Sequence, residues 1–460
     1  MTTNQQAMTE LPISQSGFRT FTIIWVGQLV SLLGTGMSRF ALLIWAYQQT
    51  GLATTLALLG FFSWVPLVIV SPLAGVVVDR WDRRKVMLLA DLGAALMTGI
   101  VLLLLLTGRL AIWHLFVLEA VASICEAFQS PAYTAATTLL LPKEQYARAG
   151  GMRSMAQDAA LIGAPLAGGT LLGLLGLAGV LWIDVATFFV AFGTLLWVRI
   201  PHPPSTEEEE GSQQGSLWRR MRAGFDFIYM RKGLLGLALL FTGINFFAIL
   251  TYFSVLPALI LARTGGNEYA LAIVQGTLGG AGILGGLAVS AWGLPRRKIH
   301  AVLAGAAISF FGGDLLFAVG RSLPIWIIGA TIAAFFIPFI VTANRTIWQL
   351  KVPPQMQGRV FAVQAMLGNL SAPVGYVLAG PLADRIFGPA MESGGSWSAL
   401  FGWLVGSGPG AGIGLMFVCT AFLGSAMSLS GYLVPAIRRV ETELPDFDAL
   451  CENRVGEQNV

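Results

Sequence analysis

Charge is what this sequence has least of. Asp, Glu, Lys and Arg make up 11% of its 460 residues, against about 25% in a soluble domain. With 55% hydrophobic residues and a mean hydropathy of +0.72, the chain could not cover a water-facing surface, and a soluble globular fold is excluded. Cysteine is nearly absent too. Cys125, Cys419 and Cys451 are scattered and odd in number, which excludes a disulfide framework and metal-ligand spacing. His114, His202 and His300 fall near the ends of apolar segments, where they read as interfacial or solvated, so no metal and no cofactor are expected. The pattern G-x-x-x-x-G-K-[ST] occurs nowhere, and with it goes ATP hydrolysis. GAGILG (280–285) fits G-x-G-x-x-G but sits inside an apolar run with no preceding strand; Gly282 and Gly286 there read as a small-residue packing face. No nucleophile–base pair suggests an enzyme, and nothing marks a nucleic-acid partner.

What is present is a series of apolar runs of about 20 residues or more, the length that crosses a bilayer. Glycine, proline and charge clusters divide them into twelve spans near 18–47, 53–78, 86–107, 112–141, 153–175 and 178–199, then 233–262, 267–293, 299–320, 323–350, 360–387 and 410–437. The reading is an all-α polytopic membrane protein with two pseudo-symmetric six-helix bundles. A tail (1–17) precedes the first bundle (18–200); a linker (201–232) leads to the second bundle (233–437) and a final tail (438–460). The stretch MTTNQQAMTELPISQSGFR lacks a basic start and a small-residue cleavage site, so the first span is expected to stay uncleaved.

Basic residues set orientation, because basic loops stay cytoplasmic. If both termini are inside, the inner segments hold 23 Lys and Arg and the outer loops hold only Arg109, Arg263, Arg321 and Arg385. Both ends are therefore expected in the cytoplasm of a cell that carries this chain in its inner or plasma membrane. The stretch PHPPSTEEEEGSQQGS (201–216) cannot bury a core and reads as linker. LWRRMRAGFDFIYMRK after it spaces Leu217, Trp218, Met221, Phe225, Ile228 and Tyr229 as a helix does, and its arginines suit the anionic inner leaflet.

The halves echo each other at an offset of 211: Gly75 with Gly286, Pro142 with Pro353, Arg148 with Arg359, Asp158 with Asn369. A parallel repeat of six spans is the architecture of one large transporter class. The charged knot GVVVDRWDRRKV (75–86) has a degraded counterpart in which Ser290 stands for Asp79.

That knot carries a resemblance. Gly75, Asp79, Arg80, Arg83, Arg84 and Lys85 are similar to the loop between spans two and three of the major facilitator superfamily, G-x-x-x-D-R/K-x-G-x-R/K-R/K, with Asp82 replacing the usual Gly. SLLGTGMSRFALLIWAYQQTG (31–51), DRWDRRKVMLLADL (79–92), FQSPAYTA (128–135) and IGAPLAGG (162–169) resemble its macrolide-efflux and enterobactin-exporter-like branch. The resemblance implies a bacterial transporter, a conformational latch at Gly75, Asp79, Arg80, Arg83 and Arg84 that closes the cytoplasmic side, and a cavity lined by spans 1, 4, 7 and 10. Ala164, Pro165, Gly168 and Gly169 resemble the fifth-span motif of drug:proton antiporters, Ala164 replacing a Gly; read physically, they form a kinked packing surface.

Ionisable groups at membrane depth point to a transport path, because each is costly unless used. Span 1 carries Gln28 and Arg39; span 4 carries Glu119, Glu126 and Gln129. Arg39 and Glu119 lie at matching depth and are expected to pair. Glu126, seven residues on and without an evident cation, is expected to carry the coupling proton, with Glu119 second. Asn245, Tyr252 and Asn344 complete the expected cavity; Asp158, Asp184 and Asp314 read as structural. The expected function is export of amphipathic drug-like or siderophore-like small molecules by a proton-coupled monomer working through alternating access. A lysolipid flippase or uniporter of the same fold stays open, as does a non-transporting receptor.

Overall fold

A computed structural model of the chain describes residues 15–198 and 217–444, with the backbone alone at 15, 16, 76, 79, 80 and 217–221. The acidic linker stretch, most of the N-terminal tail, Cys451 and His202 lie outside the described residues. Among the described residues there is no strand, and eleven helical segments are long and apolar enough to cross a bilayer.

In chain order the first four are α1 (Gln15–Thr50), α2 (Ala53–Arg80), α3 (Arg83–Leu106) and α4 (Ile112–Leu140). The next runs continuously from Tyr146 to Trp197. Its 52 residues would extend about 80 Å at 1.5 Å each, far beyond one hydrocarbon core of about 30 Å. It reverses at Gly176, whose φ of 68° with ψ of 178° is open to glycine alone. The run is thus α5 (146–175) and α6 (177–197), which brings the crossings to twelve. After the amphipathic α7 (Leu217–Tyr229) come α8 (Lys232–Thr264), α9 (Glu268–Trp292), α10 (Lys298–Val319), α11 (Leu323–Lys351), α12 (Pro354–Met391), the short α13 (Ser398–Val405) and α14 (Ala411–Leu433). Connections alternate between two faces. We call near the face with the turns at 81–82, 141–145, 293–297 and 352–353, and far the face with 51–52, 107–111, Gly176 and 265–267. Exposed Trp81, Trp113, Trp197 and Trp292 lie at helix ends, the level at which tryptophan prefers to meet a membrane interface.

Small residues let helices touch where lipid offers no contrast in polarity. α1 lies against α5 and α6: a Cβ at Gly36 would sit 2.6 Å from the Ala164 Cβ, and one at Gly168 would sit 3.2 Å from the Met37 Cα. Gly169 faces the other way, 2.9 Å by the same measure from Ala272 of α9. The fifth-span motif therefore serves two contacts at once, one within the first half and one across to the second. The expected packing face at Gly282 and Gly286 is corrected: other glycines of the same helix make the contacts. Gly282 and Gly286 look into open space, while Gly279 meets Ile162 and Gly285 meets the Phe335 carbonyl.

The two halves are joined near the far face. One apolar cluster there takes Phe40, Ile44, Leu56 and Leu181 from the first half and Leu259, Leu271 and Phe417 from the second. Toward the near face the cores separate: Phe21, Ile24, Val78, Met87 and Leu195 cluster within the first half, and Leu234, Leu303, Trp348 and Val440 within the second. Ile69 and Leu73 of α2, Leu161 of α5 and Leu284 of α9 are exposed on that side. The molecule is sealed at one face and parted at the other.

A carboxylate pins the sealed side. Asp384 of α12 accepts from the Ala53 N–H (3.0 Å), the Thr54 N–H (2.7 Å) and the Thr54 hydroxyl (2.6 Å), which caps the start of α2 from the other half. Within the first half, Asp82 caps α3 by accepting from the N–H groups of Arg84 and Lys85 at 2.9 and 3.2 Å. The symmetry-equivalent start of α10 has no such neighbour in sequence, and Glu441 of the C-terminal segment supplies the acid. It accepts from the Ile299 N–H at 3.0 Å and lies 3.6 Å from the Lys298 ammonium. Lys351 donates to the Glu441 and Leu444 carbonyls, holding that segment in place.

Candidate functional site

Helix spacing puts Glu119, Glu126 and Gln129 on one face of α4, opposite Gln28 and Arg39 of α1. Between them lies a cavity of about 770 Å³, lined entirely by residues of the first half from Trp25 to Phe188. Most of its wall is apolar, and its polar groups gather in three clusters.

The first is an ion triad. Arg39 Nε lies 3.0 Å from Glu119 and Arg39 Nη2 lies 2.8 Å from Glu126. A guanidinium carries donors on separate nitrogens, so one arginine holds both carboxylates. The Arg39–Glu119 pair is as expected from depth; the expectation that Glu126 has no cation is corrected. The second cluster joins three helices. Gln28 Nε2 donates to Asp91 Oδ2 at 3.0 Å, Gln129 Nε2 donates to Asp91 Oδ1 at 2.7 Å, and the same nitrogen donates to Gln28 Oε1 at 2.9 Å. Sequence reasoning brought forward Gln28 and Gln129 but missed Asp91 of α3. Its signal was available: a carboxylate nine residues inside an apolar helix. The third cluster holds Asp184 of α6, which accepts from Thr35 at 3.2 Å and Thr98 at 3.1 Å. Read from sequence as structural and near a helix end, Asp184 lines the cavity instead. Toward the near face, Arg153 donates to Thr134 and to Ser130 (2.7 Å) and lies over the Tyr133 ring.

Asn245, Tyr252 and Asn344 do not line this cavity. Asn344 is buried and accepts from Trp348 Nε1 at 3.2 Å. Tyr252 packs edge-on against Phe317 and Phe417 inside the second half, and Asn245 lies beside Gly368 of α12. Each of the three meets second-half partners instead. Asp314, buried, accepts from the Thr420 hydroxyl at 2.5 Å, and Asp158 is exposed.

The latch residues end α2 and open α3. Gly75 meets nothing within 4 Å of where a Cβ would stand, so no neighbouring helix packs on it in this conformation. Arg84 donates to the Leu195 and Leu196 carbonyls at 2.8 and 2.5 Å, fastening the turn to the end of α6, where a cation complements the helix dipole. Arg83 is the first residue of α3. The side chains of Asp79 and Arg80 lie outside the described residues. Among the described residues, no cluster of three or more His, Cys, Asp or Glu could hold a metal.

Paired helix bundles sealed at one face, with charged groups gathered in a chamber of the first bundle, define a membrane carrier of small molecules. Residues 24–376 match the model of the Major Facilitator Superfamily, and the chain belongs to that superfamily of transporters. Macrolide efflux protein A of Streptococcus pyogenes is 27% identical over 371 residues, which cover 80% of this chain and 90% of that protein. The multidrug efflux pump Tap of Mycobacterium bovis is 26% identical, covering 79% and 86%. A bacterial homologue of the human lysosomal transporter Spinster, solved in an inward-facing and unoccupied conformation, superposes with a TM-score of 0.64 at 17% identity, covering 92% and 97%. The nucleoside transporter NupG gives 0.60 at 14%, covering 89% of this chain and 98% of that one. At such identities the structural likeness speaks for the fold alone.

Proposed function

We propose that this transporter exports amphipathic, drug-like molecules from the cytoplasm in exchange for protons, and that Arg39, Glu119 and Glu126 form its coupling centre. The observation that carries this is the ion triad inside a chamber of drug-sized volume: ligand cavities run from about 300 to 1,000 Å³. Four carboxylates (Asp91, Glu119, Glu126, Asp184) share the cavity with two arginines (Arg39, Arg153), a balance that suits a substrate bearing positive charge. The names of the macrolide and multidrug efflux relatives support the direction of transport.

The excess of Lys and Arg on near-face turns supports a cytoplasmic near face, with both termini there and basic α7 against the anionic leaflet. The described conformation is then the one that loads from inside. A cationic substrate and a proton compete for the same carboxylates: when one of Glu119 and Glu126 accepts a proton, Arg39 is left with a single partner and the site loses its attraction for a cation. Closing the near face would bring the α2–α3 latch, with Gly75, Asp79, Arg80, Arg83 and Arg84, against the second half. The chain works as a monomer.

The test is transport of the cationic dye ethidium by reconstituted protein under an imposed pH gradient, comparing wild type with Glu126→Gln. Gradient-driven dye movement that the substitution abolishes supports the reading. Full transport by Glu126→Gln removes the triad from coupling, and dye movement that ignores the gradient removes antiport itself.

A further inference from the structure

Arg39 pairs with two of the four cavity carboxylates, and Asp184 rests on threonine hydroxyls close to that same arginine. Asp91 is different. Among the described residues it has no ion pair; its partners are two neutral amides from two other helices. The charged groups on the surrounding walls are engaged elsewhere: Arg39 of α1 with Glu119 and Glu126 of α4, Arg153 of α5 with Thr134 and Ser130. The remaining titratable neighbours are Cys125 of α4, set against Gly93, and Tyr133, whose buried hydroxyl has no partner among the described residues. The described side chains of α2 contribute no charge to the wall.

The amides are arranged to suit the ionised form. Both Asp91 oxygens accept N–H groups, as an ionised carboxylate does. Gln129 spends its nitrogen on Asp91 and on Gln28, while its own oxygen is buried with no partner among the described residues. A native protein seldom leaves such an acceptor unmet. A proton on Asp91 Oδ1 that points at the Gln129 nitrogen would set donor against donor. Turning the Gln129 amide by half a revolution resolves this, because its unmet oxygen then accepts the acid O–H. The same turn withdraws the Gln129 nitrogen from Gln28 Oε1 and so breaks this amide bridge between α1 and α4, while the Arg39 pairs stay in place.

We infer that Asp91 is a proton-binding site of the transport cavity and that Gln129 is the side chain that converts its protonation into a change of contact between α1 and α4. This rests on the proton-driven reading above and deepens it: beside the carboxylates of the triad, Asp91, one helix away, is a further place for the proton. The proton stays on oxygen throughout, and only hydrogen bonds are exchanged.

Difference infrared spectroscopy on the full-length protein in lipid nanodiscs tests this without any transport. Acidifying wild type should produce the carbonyl stretch of a protonated carboxylic acid, and Asp91→Asn should lack that component. An identical band in the variant, or none in wild type, overturns the proposal. Should Asp91→Asn fail to fold, Gln129→Leu leaves the carboxyl in place and must move the pH at which the band appears; an unmoved band overturns the switch. In proteoliposomes, Asp91→Asn should lower gradient-driven ethidium transport by roughly tenfold, within the range of ordinary coupling energies, while ethidium exchange without a gradient persists. Wild-type transport that ignores the gradient would sink antiport and leave the infrared result to decide Asp91, so the two readings fail separately.

Discussion

The two halves share an architecture and spend their polar residues in opposite ways. In the first half, Arg39, Asp91, Glu119, Glu126 and Asp184 surround an open space. In the second, Tyr252, Asp314 and Thr420 are knotted into the core, Asn344 is taken by Trp348, and Arg263 donates to the carbonyls of Phe317, Ala318, Gly320 and Val405. The backbones differ likewise. Three π-helical turns, Ile249–Phe253, Ser309–Asp314 and Leu382–Phe387, interrupt second-half helices, and none interrupts the first half among the described residues. Such turns widen a helix and displace its hydrogen-bond ladder. One copy of the repeat turns its polar groups toward a cavity, and the other spends them on packing.

The harshest way to break this contrast is Arg39→Leu, which leaves Glu119 and Glu126 side by side without a cation. Transport of ethidium should stop. Thermal unfolding should show a loss of about 2 kcal/mol, below the 3–5 of a fully buried pair because water reaches the cavity. Next is Asp384→Ala, which removes the three hydrogen bonds that fasten α12 to α2. It should cost the far-closed state about 2 kcal/mol, seen as a longer distance between spin labels at Leu52→Cys and Ile386→Cys, both exposed. A brace in the second half is tested by Thr420→Val. Stability should fall by about 1–2 kcal/mol as Asp314 loses its donor, with the dye affinity of the first-half cavity unchanged; a changed affinity would erase the division of labour. The smallest effect belongs to Gly75→Ala. With open space around it, the unfolding midpoint should hold or rise, helix propensity favouring Ala by up to about 1 kcal/mol. Transport should nevertheless slow if the second half must pack on Gly75 to close the near face.

Much of the fold was legible because hydrocarbon thickness imposes its length on every crossing, and loop arginines mark where crossings end. Arg39 with Glu119 was legible for the same reason, since depth alone matches them. What depth does not carry is rotation. Lipid and neighbouring helix are equally apolar, so hydropathy does not say which way Tyr252 or Asn344 turns, or that Gly279 and Gly285 rather than Gly282 and Gly286 make contact. Nor does it give tilt, and Glu126 reached Arg39 through the crossing of α1 and α4. Asp91 went unweighed because its meaning depends on Gln28 and Gln129, 63 positions before it and 38 after. Asp384 and Thr54 are 330 positions apart, and only the closed assembly brings them together.

The reversal at Gly176 has a consequence for biogenesis. Two membrane-crossing helices joined by a single left-handed residue leave no loop that could be drawn across separately. Any side chain larger than hydrogen at residue 176 would strain this glycine-only corner, and the yield of inserted protein is where the strain should be felt first. The same bareness makes this corner a poor epitope and a poor place to graft a tag.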